Sequence, residues 1–148
     1  MIKRRNQVSG QAEAEYAADV ALAARFDDLL ASARAAEQAF RKAQARALPT
    51  SELYPLARNL DTALTDAMRA AYAAERAEIG PRGYEDRIYR RKAKARSAVH
   101  AWSDEAERLL TLRETHRLTG IPPAPLAGLP SGQPTLDRPS GIVPHVPA

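Results

Sequence analysis

The chain of 148 residues contains no cysteine. That excludes disulfides, a thiolate nucleophile and any cysteine-ligated zinc or iron–sulfur centre. Aromatic residues are scarce as well, at 5% of the chain. Much of the 45% apolar content is alanine, which has the best helix propensity but buries little area per residue. A core made of it is thin and needs length, many contacts or partner chains. No run of about 18 apolar residues occurs, so no transmembrane helix is expected. The opening "MIKRRNQVSGQAEAEYAADV" has basic residues but no apolar stretch after them, and does not read as a secretory signal.

Glycine and proline are absent from residues 11–48. Over that span Leu22, Phe26, Leu29, Ala33, Ala36, Phe40, Ala43 and Ala47 recur at alternating steps of four and three. This is the heptad rhythm of a helix packed along its length, with Tyr16, Val20 and Leu30 widening the stripe. Pro49 ends that helix, Thr50 or Ser51 is placed to cap the next, and Glu52 suits a first turn. A second helix over 52–79, with Pro55 early in it, carries the stripe Leu53, Ala57, Leu60, Leu64, Ala67, Ala71 and Ala74. "GPRG", Gly80 to Gly83, breaks the chain. A third helix is expected over 84–119, with the stripe Ile88, Lys92, Ala95, Val99, Trp102, Ala106 and Leu109. Gly120 suits its C-cap, and Ile121-Pro122-Pro123 forbids continuation.

The fold class that follows is all-α. Short links between long helices favour antiparallel neighbours. The expected architecture is an elongated antiparallel three-helix bundle of coiled-coil-like helices, roughly 40–55 Å long at about 1.5 Å per residue. A basic N-terminal arm over 1–10 precedes the bundle over 11–120, and an extended Pro-rich C-terminal tail over 121–148 follows it. The alternative is one helical hairpin whose third helix engages another chain.

The tail holds eight of the eleven prolines and three of the seven glycines. Regular structure is excluded there, and an extended, solvated chain is expected. Yet Ile121, Leu126, Leu129, Leu136, Ile142, Val143 and Val146 are spread along it. A strap that docks on a neighbouring subunit uses such residues, since proline lowers the entropy lost on docking.

Net charge is +4, too small by itself to demand an acidic partner. Its distribution is uneven: residues 82–96 hold seven basic and two acidic groups. The stretch "YRRKAKAR", Tyr89 to Arg96, puts five basic side chains into eight residues. On a helix, Arg87, Arg90, Arg91 and Lys94 fall within an arc of about 100° beside the apolar stripe. Such a row can track phosphates, with Tyr84 and Tyr89 near enough to stack. The bland reading is a solvated face paired with the acidic second helix. No short helix-turn-helix spacing, zinc-finger pattern or aromatic RNP strand accompanies the row.

No chemistry-bearing constellation stands out. "GPRG" lacks the lysine and threonine of a phosphate loop and follows a helix rather than a strand. His100 with Asp104, and Asp104 with Arg108, read as surface i, i+4 pairs. His116 suits the C-terminal dipole of the third helix, and His145 lies among prolines. Trp102 reads as the largest core side chain. The chain is therefore expected to be non-enzymatic, with no cofactor, no metal and no small-molecule substrate.

Long alanine-rich helices followed by a Pro-rich strap resemble, in composition alone, small assembly proteins of phages and other mobile elements of high-GC hosts. The resemblance transfers no residues. It implies a structural or assembly protein, oligomeric or part of a larger complex, such as a head–tail adaptor, connector or other virion component. Its partners would be protein subunits, and it would be cytoplasmic or virion-associated. The alternative is a nucleic-acid-binding accessory protein that uses the basic face of the third helix. A regulator that masks an acidic protein surface is a third reading.

Overall fold

The computed structural model of the chain describes residues 7–122. Among them the regular structure is helical: α1 (Gly10–Ala23), α2 (Phe26–Ala45), α3 (Thr50–Ile79), α4 (Arg87–Ala93) and α5 (Ser97–Thr115). A 3₁₀ turn, Pro81–Tyr84, precedes α4, and a π turn, His116–Gly120, follows α5. No helix of the described residues is long and apolar enough to cross a membrane.

Helix α1 begins because Ser9 is extended and its hydroxyl accepts from the Ala12 N–H at 3.1 Å. The single helix expected over 11–48 is in fact two. The Arg25 N–H bonds the Leu22 carbonyl, three residues back, so one turn tightens and the ladder is interrupted at Ala24 and Arg25. No glycine or proline marks that spot. Helix α2 stops at Ala45 in a Schellman turn. Ala47 takes φ 53°, its N–H bonds Gln44, and the Leu48 N–H bonds Ala43.

Extended Pro49 leads into α3, and its carbonyl accepts from Glu52 and Leu53. Thr50 and Ser51, expected as caps, lie inside the first turn, and Pro55 sits within the helix. Gly80, at φ 99°, ends α3. The expected helix over 84–119 is also divided. Asp86 starts α4 by accepting from the Tyr89 N–H at 2.9 Å. Three-residue bonds from Ala95 to Lys92 and from Arg96 to Ala93 then close α4, before α5 begins on extended Arg96.

Helix α3 packs against α1, α2 and α5. Asp19 of α1 meets Arg76 near the end of α3, whereas Asp61 near the start of α3 meets Arg117 beyond α5. Both flanks therefore run antiparallel to α3, and α2 and α5 run parallel to each other. Of the nineteen buried hydrophobic residues among those described, eleven are alanine. The main cluster gathers Phe26, Phe40, Leu60, Leu64, Met68 and Leu109 around alanines of α2, α3 and α5. A smaller cluster, Ile79, Ala93 and Val99 with Tyr89 against it, closes the end where α3, α4 and α5 meet.

Most of the apolar stripes are where the periodicity puts them. Ala57, Leu60, Leu64, Ala67, Ala71 and Ala74 are buried on α3, as are Val99, Ala106 and Leu109 on α5. Trp102 is half-buried. The stripe fails on α4: Ile88 is 68% exposed, and Lys92 and Ala95 are exposed. The break before α5 resets the helical phase, so Tyr89 and Ala93 point inward instead. Val20, which was expected to widen the first stripe, is 42% exposed. Ala47 lies past the end of α2 and is exposed.

The first residues of the N-terminal arm, 1–6, lie outside the described residues, as do Leu126, Leu129, Leu136, Ile142, Val143 and Val146 of the tail. Ile121, where the tail begins, packs against the main core of its own chain.

Candidate functional site

The basic segment is built by three consecutive breaks. The positive φ of Gly80 turns the chain out of α3. Gly83 is next, where a Cβ would stand 2.4 Å from the Ile79 side chain. Asp86 then caps α4, and Arg96 folds back to donate to the Ile79 carbonyl at 3.2 Å, satisfying an orphan acceptor at the end of α3. The result is a short helix held across the end of α3 and α5, carrying Arg87, Arg90, Arg91 and Lys92 in seven residues.

The four residues expected in one row are divided. Arg90 turns inward and donates to the Gly83 carbonyl at 3.1 Å. Lys94 stands 3.8 Å from Glu75. Arg87 and Arg91 are exposed and form no ion pair among the described residues. Tyr89 lies beneath the Arg82 guanidinium, 4.8 Å from ring centroid to charge.

Behind α4 lies an open groove of about 350 Å³ between α3, α4 and α5. Arg90 and Lys94 line one wall, Ser103 and Glu107 another, and Glu75, Arg76 and Tyr72 the floor. Glu75 is 7% exposed, and Lys94 is its ion-pair partner.

A polar clamp fastens this end to α1. Asp19 receives two bonds from Arg76, at 2.7 and 2.9 Å, and a short one from the Tyr84 hydroxyl. Burial pushes the Asp19 carboxyl up, but the donors outweigh it and hold it below the usual carboxylate range. The Tyr84 phenol is pushed up by burial and by its bond to that carboxylate. A second clamp holds the other end. Arg117 donates to Asp61 at 2.6 and 3.3 Å and keeps that buried carboxyl low.

Of three local pairings, two differ from the sequence reading and one, His100 with Asp104, is as expected. Arg108 pairs with Glu105 at 2.6 Å rather than with Asp104. His100 and Asp104 meet at 3.3 Å, both exposed. His116 is no surface histidine: it is buried, its Nε2 is 2.8 Å from the Ala57 carbonyl, and its ring stands edge-on to Phe40. Nothing local signals this, because both contacts come from helices far back in the chain. Among the described residues, no group of three or more His, Asp and Glu side chains converges as metal ligands would.

Comparison with protein-family models, curated proteins and solved structures finds no match for this chain.

Proposed function

We propose that this chain is a non-enzymatic helical assembly protein that acts as one subunit among others. In this reading α1–α2, α3 and α5 are the three legs of an elongated antiparallel bundle. Ile121 stays on the core of its own chain, and the segment that follows it docks on a neighbouring subunit as an extended peptide. The observation that carries the reading is the thinness of the core: among the described residues, eleven of nineteen buried hydrophobic residues are alanine, while Val20, Ile88, Leu112 and Leu118 are left exposed. Alanine contributes little transfer free energy per residue, so further burial between subunits is the expected source of stability. A virion connector or adaptor is one setting for such a subunit, and a bacterial scaffold is another.

A polyanion is the second reading, favoured by Arg87 and Arg91, which are exposed and without an ion pair among the described residues. The phosphate backbone would then be gripped without base readout, and affinity would fall steeply with salt.

Size-exclusion chromatography with light scattering, recorded at 260 and 280 nm without nuclease treatment, separates the two. A discrete multimer of 16.1 kDa protomers with a protein-like absorbance ratio supports assembly. A 260 nm signal that leaves at high salt supports the polyanion. If removing residues 121–148 leaves every multimer intact, the strap has no role.

A further inference from the structure

Four large hydrophobic side chains are exposed among the described residues: Val20, Ile88, Leu112 and Leu118. Around the last two, nearby charges are already matched, Arg113 to Glu114 and Arg117 to Asp61. Around the first two, Asp19 is matched to Arg76 and Asp86 to Arg82, but several others are not. Ile88 stands on α4 between Arg87, Arg91 and Lys92, all exposed and without an ion pair among the described residues. Val20 stands on the outward side of α1 on one helical stripe with Glu13, Ala17 and Ala24. The exposed Asp27 and Asp28 follow in the first turn of α2. Glu13, Asp27 and Asp28 likewise have no ion pair among the described residues. The molecule thus carries a basic patch centred on one aliphatic side chain and an acidic patch centred on another.

We propose that these patches bind each other between two copies of the chain, with α4 of one copy on the α1–α2 face of the second. Ile88 fits beside Val20 because Ala17 and Ala24 leave shallow depressions on either side of it. The flanking arginines meet the carboxylates at the rim. Helix α1 packs on the turn Pro81–Tyr84 that leads into α4, so both patches belong to the same half of the molecule. Two copies related by a two-fold axis therefore make the contact twice, the arrangement most soluble homo-oligomers adopt. This deepens the assembly reading and rests on it. A nucleic-acid backbone would use the arginines but would leave the acidic patch and both aliphatic side chains unused.

The test is light scattering on the full chain at several concentrations, at low and at high salt. The variants are Arg87→Glu with Arg91→Glu, Asp27→Lys with Asp28→Lys, and all four together. Wild type is expected to dimerise more weakly at high salt, and each double reversal to weaken dimerisation by roughly tenfold or more. The fourfold variant restores opposite charges across the contact and should return the dimer to near wild-type affinity. All substituted side chains are exposed, and circular dichroism checks folding. If the fourfold variant does not fold, Ile88→Ala takes its place and should also weaken the dimer. A multimer indifferent to either double reversal overturns this contact but leaves the assembly reading standing. A wild-type monomer at every concentration overturns both. A bound 260 nm component lost on arginine reversal but kept on aspartate reversal overturns the contact in favour of a polyanion.

Discussion

Phe26 stands edge-on to Trp102, with ring centroids 5.1 Å apart and planes at 89°. Fourteen residues further along both segments, Phe40 meets His116 in the same manner, at 5.4 Å and 81°. Two heptads separate the pairs on each side, so α2 and α5 keep one register over that length although both pack on α3.

Trp102→Ala should cost about 2–3 kcal/mol in urea unfolding. That is below the roughly 3–5 kcal/mol of fully buried aromatics, because the indole keeps an exposed side. With Phe26→Ala in a double-mutant cycle, the coupling should be about 0.5–1.5 kcal/mol, the usual worth of an edge-to-face pair beyond its area. Strict additivity would mean that the rings touch without interacting.

Acid should loosen both clamps. Arg117 holds the Asp61 carboxyl below its ordinary value, and for Asp19 the donors Arg76 and Tyr84 outweigh burial to the same effect. A carboxyl whose folded pKa is depressed contributes stability above its unfolded value, about 4, and loses it as pH falls through the folded value. Thermal melts should fall steeply below about pH 4. Asp61→Asn and Asp19→Asn should each be less stable than wild type at neutral pH and flatten that acid limb. An unchanged limb in both variants would place the acid sensitivity elsewhere.

Two turns should respond with opposite sign to exchanges of alanine and glycine. Ala47 holds φ 53°, where a Cβ is crowded, so Ala47→Gly should stabilise by about 0.5–1 kcal/mol. Gly80 holds φ 99° with no neighbouring atom within 4 Å of a built Cβ, so Gly80→Ala should destabilise through backbone strain alone, by about 1–2 kcal/mol. Chemical denaturation of both variants beside wild type tests this, and a shift of the same sign in both would contradict it.

The stripe of α3 and its continuation on α5 were legible because alanine and leucine recur at helical spacing. What escaped the sequence has physical reasons. The interruption at Ala24 and Arg25 is a change of hydrogen-bond partner, with no residue of low helix propensity to announce it. Asp61 sits beside Leu60 on the buried side of α3, but its partner Arg117 is more than fifty residues away. The charge bias of 82–96 was plain. Which arginines face inward was not, because the break before α5 resets the helical phase, so that Arg90 reaches Gly83 while Ile88 is left outside.

Among the described residues, α3 is the helix that α1, α2 and α5 have in common, and its alanines 57, 67, 70, 71 and 73 are sealed from solvent. Its middle amides can reach water only when the flanks separate. In hydrogen exchange they should be the slowest in the molecule, opening with the global unfolding event. Helix α1 buries Ala12 alone. Its amides should exchange far sooner, by local fraying, and the face that carries Val20 should be the most adaptable part of the surface.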